Sequence, residues 1–433
     1  MKAGTVLDRA LAEAAVAGPW TAEGIGARMF DAVPHGPWRA LARRLSRDPA
    51  PLEADPWLVR TIAAYRAWMP PSRVHLRIRR WVVATTRMGP RRWPVRPIDS
   101  VGDLAALLRL SADDLAWFAD PKGWQTRTDH CPLWHYHFHW RAKPSGGARL
   151  VEAPKERTRE VQRWILEHIL DAIPAHDAAH GFVRGRSPRT GAEPHVGRAV
   201  LLQFDLEDFF ASVPAGAVLG VFRAAGYPDA VARTLAGLSS TRAPAAVLAA
   251  CPAGADRSAR ARQRQRLRTP HLPTGAPTSP ALANLAAWRL DARLSAAAAS
   301  VGATYTRYAD DLTFSGDVSF RRRARRFAAW VARIVREEGY RVHPRKSRLT
   351  GRGAQQVVTG VVVNVRPALA RHRYDALRAI LHNCVLHGPA SQNRAGHPDF
   401  RAWLTGTVAA ARAIDPVRGG ALWAALPEID WSR

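Results

Sequence analysis

Short runs of apolar and β-branched residues, separated by turn residues, predict strands in the second half of the chain. In the segment 304–315, two such runs flank Asp310 and Asp311, which predicts a hairpin with both carboxylates at its tip. The mostly apolar run 199–204 predicts a buried strand that ends at Asp205. We therefore expect three carboxylates to meet where these strands end.

Other segments are typical of a further strand, a hairpin and several helices. A period of two over 130–140 predicts a strand with histidines on one face and aromatic rings on the other, and 356–364 predicts a second buried hairpin. A further helix is predicted to begin with Ser279 as its N-cap and Pro280 as its first residue. Amphipathic periodicity predicts helices over the segments 5–17, 37–47, 55–68, 101–118, 157–173 and 321–338.

Tryptophan and arginine are concentrated in particular segments. Arginines of the stretch 73–96 are interpreted as a phosphate-contacting face, with an ordinary solvated face as the alternative. The segment 249–271 holds many arginines and few apolar residues, which predicts a mobile basic insertion. We interpret the tryptophans of the first 125 residues as core residues of a small helical domain. They are Trp57, Trp68, Trp81, Trp93 and Trp117.

Composition adds a binding partner to this picture. The chain has 433 residues, 47% of them hydrophobic, which is enough for two or three subdomains with their own cores. Lysine and arginine number 64 against 36 aspartates and glutamates. The resulting net charge of +28 argues against an enzyme of small neutral metabolites and indicates a polyanionic partner, nucleic acid. Because no apolar run approaches the length of a membrane span, we expect a cytoplasmic protein without a membrane partner.

The cysteines indicate no disulfide framework. Cys131, Cys251 and Cys384 form no C-x-x-C pair, which fits a reducing compartment. A zinc site that uses Cys131 and the histidines of 130–140 is the alternative, but this segment lacks a closing ligand pair at zinc-finger spacing.

The three aspartates are candidates for metal-assisted chemistry. Adjacent carboxylates repel each other, and the hard cation Mg²⁺ relieves that repulsion by taking carboxylates and substrate phosphates as ligands. Two ions held by Asp205, Asp310 and Asp311 would activate an attacking hydroxyl and stabilise the leaving oxygen, which predicts nucleotidyl transfer. An exposed turn that merely carries two acids is the alternative for the adjacent pair.

Cations beside glycines are the candidate phosphate contacts. Lys143 and Arg149 flank one glycine turn, and 180–187 is a basic glycine loop with Arg184 and Arg186. Glycine lets the backbone approach a phosphate closely while the cations supply charge. We also expect phosphate contacts from the arginines of the basic insertion, among them Arg257, Arg260, Arg264 and Arg268.

The order of these segments resembles the reverse transcriptases, and among them the bacterial retron reverse transcriptases. Residues 149–155 and 180–187 resemble the first two sequence blocks of that family. Thr274 stands where the family commonly has glutamine, and no N-A-x-x-H element lies between residues 210 and 272. The remaining motifs follow in family order: motif A at 204–210, motif B at 272–284, the Y-A-D-D motif C at 308–311, motif D at 339–346 and a V-T-G element at 358–360.

The resemblance implies roles for individual residues. Asp205, Asp310 and Asp311 match the catalytic triad, which together with Leu206 would bind two Mg²⁺ ions, or Mn²⁺ in their place. Phe210 matches the aromatic gate that excludes a ribonucleotide 2′-hydroxyl. The residues implied to bind the incoming dNTP are Lys143, Arg149, Phe210, Thr274, Gly275 and Lys346. The residues expected to contact nucleic acid are Arg184, Arg186, Arg257, Arg260, Arg264, Arg268, Thr359, Arg371 and Arg373.

The fold implied by the resemblance is an α+β right-hand polymerase with fingers, a ferredoxin-like palm and a helical thumb, preceded by a mainly helical extension. Residues 1–128 are predicted to form this tryptophan-rich extension. Residues 129–350 are predicted to form the fingers and palm, and residues 351–433 the end of the palm and an RNA-recognising thumb.

The function implied is that of an RNA-directed DNA polymerase. Such an enzyme binds a structured non-coding RNA as template and primer and copies part of it from dNTPs into single-stranded DNA, the msDNA of retrons. The resemblance further implies a role in antiphage defence, with an effector protein as partner. The alternatives are a reverse transcriptase of an abortive-infection, CRISPR-associated or diversity-generating class, a non-catalytic RNA-binding protein with a palm fold, and a two-metal nuclease, which would leave Phe210 unexplained.

Overall fold

The chain forms two compact units in the computed structural model, one within residues 1–89 and 97–104 and the other within 90–96 and 105–433. The residues that the structure describes are 6–48, 54, 56–69, 76–82, 88–121, 123–125, 133–143, 146–252, 256–344 and 346–432. The predicted zinc alternative at Cys131 and part of the basic stretch 73–96 lie outside these residues.

The first unit contains helices that pack around one apolar core. Thr21 caps the second helix by accepting a hydrogen bond from the Gly24 amide, and the sequence patterns had not predicted that helix. The helices are α1 Val6–Val16, α2 Ala22–Ala32, α3 Trp38–Leu45 and α4 Pro56–Ala67. Their fully buried residues include Leu11, Ile25, Met29, Trp38, Leu41, Leu58 and Ile62.

The interpretation of the tryptophans as core residues is wrong for four of the five. Trp57, Trp68, Trp81 and Trp117 are 44%, 85%, 43% and 42% exposed, whereas the buried indole in the first unit is Trp38. The packing face of α4 consists of Leu58 and Ile62, one helical turn apart, and Trp57 and Trp68 lie off that face.

The second unit combines sheets and helices, which confirms the predicted α+β class. Its strands are β1 Tyr136–Ala142, β2 Ala148–Pro154, β3 Val200–Asp205, β4 Thr304–Tyr308, β5 Asp311–Gly316, β6 Arg348–Gly351, β7 Val357–Val358 and β8 Val361–Val362. The helices from residue 101 onward are α5 Val101–Leu108, α6 Ala112–Ala119, α7 Glu156–His168, α8 Pro188–Ala192, α9 Ala215–Ala224, α10 Asp229–Leu238, α11 Ala245–Ala249, α12 Arg257–Arg268, α13 Ser279–Ala286, α14 Trp288–Ala299, α15 Val318–Glu337, α16 Arg371–His387, α17 Phe400–Ile414 and α18 Pro416–Ala424.

A four-stranded antiparallel sheet with the order β4-β5-β3-β6 carries the three aspartates. The hairpin β4–β5 and the strand that ends at Asp205 are confirmed as predicted. The strand predicted over 130–140 is confirmed from Tyr136 onward as β1, and the hairpin predicted over 356–364 is confirmed as the short hairpin β7–β8. On β1, His137 and His139 are exposed.

Two helix predictions need correction. The N-cap of α13 is Thr278 rather than Ser279, because the Thr278 carbonyl already accepts the first helical hydrogen bond, from the Leu282 amide. The predicted helix over 101–118 is two helices, α5 and α6, since Arg109 between them has a φ of +54° that a continuous helix cannot contain.

The predicted mobile insertion is instead the ordered helix α12. Asp256 caps its first turn by accepting a hydrogen bond from the Ala259 amide, and Leu267 is buried in a small apolar cluster with Leu150 and Leu248. Arg262 and Arg266 of α12 also form ion pairs with Glu207 and Asp208, which follow β3. Composition alone indicated mobility, whereas these distant contacts order the segment.

The last three helices pack around a separate apolar cluster. It contains Leu377 and Leu381 of α16, Leu404 and Val408 of α17, and Leu422 of α18. None of the helices in the described part of the chain is long and apolar enough to cross a membrane.

Close packing of α10 against the end of α6 can be tested at a glycine. A methyl group on Gly237 would lie 2.3 Å from the Ala119 carbonyl oxygen, so Gly237→Ala should lower the free energy of unfolding by about 1–3 kcal/mol. The control is Gly220→Ala in α9, an exposed position with no atom near the added methyl group, which should raise it by about 0.5–1 kcal/mol. Denaturant titration measures both, and a stabilising Gly237→Ala would contradict the packing.

Candidate active site

Three carboxylates meet at one edge of the four-stranded sheet. Asp205 ends β3, Asp311 begins β5, and the two residues are paired directly across the antiparallel ladder. Asp310 lies in the turn before Asp311, and its carbonyl accepts a 2.9 Å hydrogen bond from the Leu206 amide. The Asp205 carbonyl accepts a 2.7 Å bond from the His343 amide. These backbone hydrogen bonds hold the main chain at Asp205 and Asp310 in place and so position the carboxylates.

The carboxylates perturb one another. Burial and the nearby charge of Asp205 raise the pKa of Asp310. Partial burial, which removes water from the carboxylate, and then the charges of Asp310 and Asp205 raise the pKa of Asp311 to about 6. Part of this side chain remains exposed. The positive charge of Lys346 lowers both pKa values and so opposes these shifts. Lys346 lies within the cluster, with its Nζ 2.7 Å from Asp205 Oδ2. The site is therefore an anionic cluster partly neutralised by one ammonium group.

The donor set fits a hard divalent cation. Carboxylate oxygens are the ligands that Mg²⁺ prefers, and a cation would relieve the repulsion that raises the two pKa values. Among the described residues, no three acidic, imidazole or thiol groups are already arranged as a metal site, and Asp205 is paired with Lys346 instead. Leu206 could contribute only its carbonyl oxygen, because its side chain is apolar and buried.

A second acidic pair, which the sequence reasoning did not assign, follows directly at Glu207 and Asp208. The position of Glu207 and Asp208 directly after Asp205 and Leu206 was the feature of the sequence that could have indicated a role at the site. Lys143 Nζ lies 3.5 Å and Arg266 Nη1 3.2 Å from Asp208. Glu207 pairs with Arg262 of α12 at 3.5 Å and with Arg341 at 3.6 Å. The pair thus attaches α12 and the β1–β2 turn to the end of β3.

A partly exposed aromatic ring follows the acidic segment. The Phe210 ring lies 5.7 Å from the Phe209 ring and 6.1 Å from the Phe182 ring, measured between centroids. Phe182 is 52% exposed and has a φ of +60°, a strained conformation for an aromatic residue. Its loop, 180–187, therefore reaches the same side of the site as Phe210.

The loop before α13 is held against β2 by a buried glutamate that the sequence reasoning also missed. Glu152 accepts a hydrogen bond from the Thr274 amide at 3.1 Å and donates its own amide to the Thr274 carbonyl at 2.9 Å. His271 Nε2 lies 3.1 Å from the same carboxylate; burial lowers the pKa of His271, but Glu152 outweighs this and raises it overall. Gly275 has a φ of +124°, and a side chain there would lie 3.2 Å from the Glu152 carbonyl oxygen.

Residues 141–363, more than half of the chain, match the family model "Reverse transcriptase (RNA-dependent DNA polymerase)". The chain belongs to the reverse transcriptase family. Members of this family use divalent metal ions, in agreement with the donor set described above.

Curated relatives identify the branch of the family. Over 280 residues the chain is 44% identical to the Retron Mx65 reverse transcriptase of Myxococcus xanthus, covering 63% of this chain and 60% of that protein. It is 37% identical to the Retron Mx162 reverse transcriptase of the same organism, covering 77% and 67%. Identity to the Retron Ec86 reverse transcriptase of Escherichia coli is 32%, covering 60% and 72%. These matches confirm the retron type, and the aligned parts span about two thirds of these relatives' lengths.

The remaining predicted site residues of this reverse transcriptase fall into three groups. Arg186 donates to the carbonyls of Asp177 and Ala179, and the Thr359 hydroxyl donates to the Pro188 carbonyl, so these two side chains already have protein partners. Arg149 contributes positive potential at Asp310. The other predicted cations have side chains that are exposed or half-buried: Arg184, Arg257, Arg260, Arg264, Arg268, Arg371 and Arg373.

The raised pKa of Asp311 predicts a stability change in the metal-free reverse transcriptase. Because the folded-state pKa, about 6, exceeds the ordinary value of 3.8, the folded protein is stabilised relative to the unfolded chain below pH 4 and loses that stability as pH rises through 6. Asp311→Asn should therefore raise the free energy of unfolding at pH 7 by about 1 kcal/mol, a figure reduced for the exposed face of the side chain.

The same measurement near pH 3.5 provides the control, since Asp311 is then protonated in the folded protein and largely protonated in the unfolded chain, so the difference between parent and variant should nearly vanish. Denaturant titrations in a metal chelator at the two pH values make the comparison. A variant less stable than the parent at pH 7 would contradict the electrostatic account.

Proposed function

We propose that this retron-type reverse transcriptase is an RNA-directed DNA polymerase whose active centre is the cluster of Asp205, Asp310 and Asp311. The observation that carries the proposal is the convergence of these carboxylates at one sheet edge, two of them with raised pKa values, beside the cations Lys346 and Arg149. Polyanionic substrates also match the net charge of +28.

Asp205, Asp310, Asp311 and the Leu206 carbonyl would hold two Mg²⁺ ions, with Mn²⁺ as the alternative. When bound, the ions supply Lewis-acid stabilisation of the phosphoryl oxygens and lower the pKa of the attacking hydroxyl. Lys346 would exchange Asp205 for the substrate, and its Nζ would then be available to donate a proton to the departing pyrophosphate. This role fits an ammonium that lies 2.7 Å from the cluster.

The incoming dNTP would meet chain groups on three sides. Lys143 and Arg149, at the ends of the β1–β2 turn, bind the triphosphate, and Lys143 exchanges its Asp208 partner for phosphate. Thr274 and Gly275 approach from the loop held by Glu152, where the backbone is not covered by a side chain at Gly275. Phe210 fills the space beside the sugar that a 2′-hydroxyl would need.

The finer architecture is part of the same proposal. The hairpin β1–β2 corresponds to the fingers, the sheet β4-β5-β3-β6 with α14 and α15 to a ferredoxin-like palm, and α16 to α18 to a thumb. In this assignment residues 1–128 are the extension, 129–350 the fingers and palm, and 351–433 the palm end and thumb.

The nucleic-acid partner is proposed to be a structured non-coding RNA that is copied into single-stranded msDNA. The retron names of the relatives and the charge support this partner. Exposed arginines of α12 and Arg184, Arg371 and Arg373 would contact phosphates, whereas Arg186 and Thr359 shape loops through their internal hydrogen bonds. A role in antiphage defence with an effector protein follows from the resemblance to retron enzymes alone.

The proposal is tested by Asp310→Asn and Asp311→Asn. Each variant should abolish DNA synthesis on an RNA template, because a neutral amide cannot hold the divalent ions, while RNA affinity stays within about twofold since it depends on many dispersed cations. Primer extension and RNA titration at fixed salt measure the two effects. Full synthesis by both variants would place the active centre elsewhere, and a parent protein that binds RNA but makes no DNA would indicate a non-catalytic RNA-binding function.

The proposed sugar gate predicts a change in nucleotide choice. Phe210→Val should raise the efficiency of ribonucleotide incorporation relative to that of the deoxyribonucleotide by at least tenfold, because the space beside the sugar opens. Steady-state kinetics with dGTP and GTP measure the ratio, and Phe209→Leu, at the buried neighbouring ring, is the control that should leave it near the parent value. An unchanged ratio in Phe210→Val would make Phe210 a packing residue only.

A further inference from the structure

A fully buried arginine stands three residues before the first aspartate of the hairpin turn. Arg307 lies in β4, is 0% exposed, and faces Asp291 of α14, which is also 0% exposed. Its Nε lies 2.8 Å from Asp291 Oδ1 and its Nη2 2.6 Å from Asp291 Oδ2, a bidentate fork. Because a buried charge without partners is strongly unfavourable, these two residues depend on each other.

The same guanidinium also binds the catalytic turn. Arg307 Nη1 donates to the Ala309 carbonyl at 3.1 Å and to Asn284 Oδ1 at 2.8 Å. Ala309 directly precedes Asp310 and has a φ of +56°, the left-handed region that a residue with a side chain rarely adopts. Such a conformation persists where surrounding contacts enforce it, and the Arg307 hydrogen bond is one such contact.

Two further elements, α13 and the loop 180–187, contact Arg307 and the turn. Asn284 of α13 donates its side-chain amide to the Gly181 carbonyl at 2.9 Å, and the His180 amide donates to the Arg307 carbonyl at 2.7 Å. A side chain on Gly181 would lie 2.5 Å from the Ala309 amide nitrogen, so the loop packs directly on the turn. Arg307 thus joins α14, α13 and the loop 180–187 to the backbone that carries Asp310.

We infer that Arg307 is a positioning residue for catalysis: it holds Ala309 in its left-handed conformation and thereby directs the Asp310 and Asp311 carboxylates toward the metal ions and substrate. The inference rests on the proposed function. Arginine is required because its planar fork reaches Asp291, Asn284 and the Ala309 carbonyl at once, which the single nitrogen of lysine cannot do. The competing explanation is that the buried pair serves folding only.

The first experiment is Arg307→Lys, which keeps the charge and loses the fork. We expect kcat to fall about 100-fold, the effect of misplacing catalytic groups by about 1 Å, with KM for dNTP and RNA affinity within about twofold of the parent. The control is Arg293→Lys on α14, the helix that carries Asp291, where Arg293 pairs with Glu337 and Glu338 away from the turn. It should leave kcat within about twofold.

A readout independent of turnover is the Mg²⁺ dependence of the melting temperature without substrates. If Arg307 orients the carboxylates, the Mg²⁺ concentration that gives half of the stabilising shift should rise about tenfold in Arg307→Lys and stay unchanged in Arg293→Lys. A kcat and a Mg²⁺ midpoint both equal to those of the parent would overturn the inference.

The second experiment separates positioning from folding. In the triple variant Asp291→Leu, Tyr305→Phe, Arg307→Met, the ion pair and the Tyr305 hydroxyl bonded to Asp291 are replaced together by apolar groups of similar volume, which often preserves stability. Parent-like stability with kcat still lowered about 100-fold supports positioning. Parent-like stability and parent-like kcat overturn it. If the triple variant does not fold, the Arg307→Lys comparison decides.

These outcomes stay distinct from a failure of the proposed function. The parent and Arg293→Lys must both synthesise DNA; if neither does, the polymerase assignment fails. If both do and Arg307→Lys matches them, only the positioning role of Arg307 fails.

Discussion

Repulsion among carboxylates at one sheet edge is the constraint that organises the second unit. Asp205, Asp310 and Asp311 are placed together by strand register, and no choice of side-chain rotamer removes them from one another's field. Cations from distant segments of the chain partly offset this electrostatic repulsion. Lys346 lies against Asp205, and Arg149 adds positive potential at Asp310. Part of the repulsion within the cluster is thus offset by the chain's own cations.

The neighbouring acidic pair extends the same principle to architecture. Glu207 and Asp208 form ion pairs with cations from three segments. These are Lys143 of the β1–β2 turn, Arg262 and Arg266 of α12, and Arg341 of the segment after α15. Half-buried ion pairs between distant segments fix geometry more than they add stability. The pair therefore acts as a junction, which holds the proposed triphosphate-binding turn at a defined place beside the carboxylate edge.

Local chemistry explains what could be predicted from the sequence. The hairpin around Asp310 and Asp311 and the strand before Asp205 follow from nearest-neighbour propensities, so they were predicted correctly. The ordered state of α12 was not predicted, because it depends on the pairs of Arg262 with Glu207 and Arg266 with Asp208, which lie 55 and 58 residues apart in sequence. Trp57 and Trp68 were misplaced for a related reason: an amphipathic pattern shows that a helix has a buried face, but the choice between Leu58 and Trp57 is made by the partners in space.

The buried polar groups of the site were the least predictable and explain most about it. Glu152 and Asn284 lie within the first block and motif B, but nothing in those motifs shows that the two side chains are buried, and Asp291 and Arg307 lie outside the motifs. Each of the four is at most 2% exposed: Glu152, Asn284 and Arg307 bond backbone groups of the site, and Asp291 bonds the Arg307 guanidinium. Strained backbone at Phe182, Asp208 and Ala309 surrounds the same edge. Since strain persists only where other contacts enforce it, the rigidity of the carboxylate edge is supplied by this buried layer rather than by the aspartates themselves. The motif residues would then be free to exchange partners, as the roles proposed for Lys143 and Lys346 require, while the layer beneath them keeps its shape.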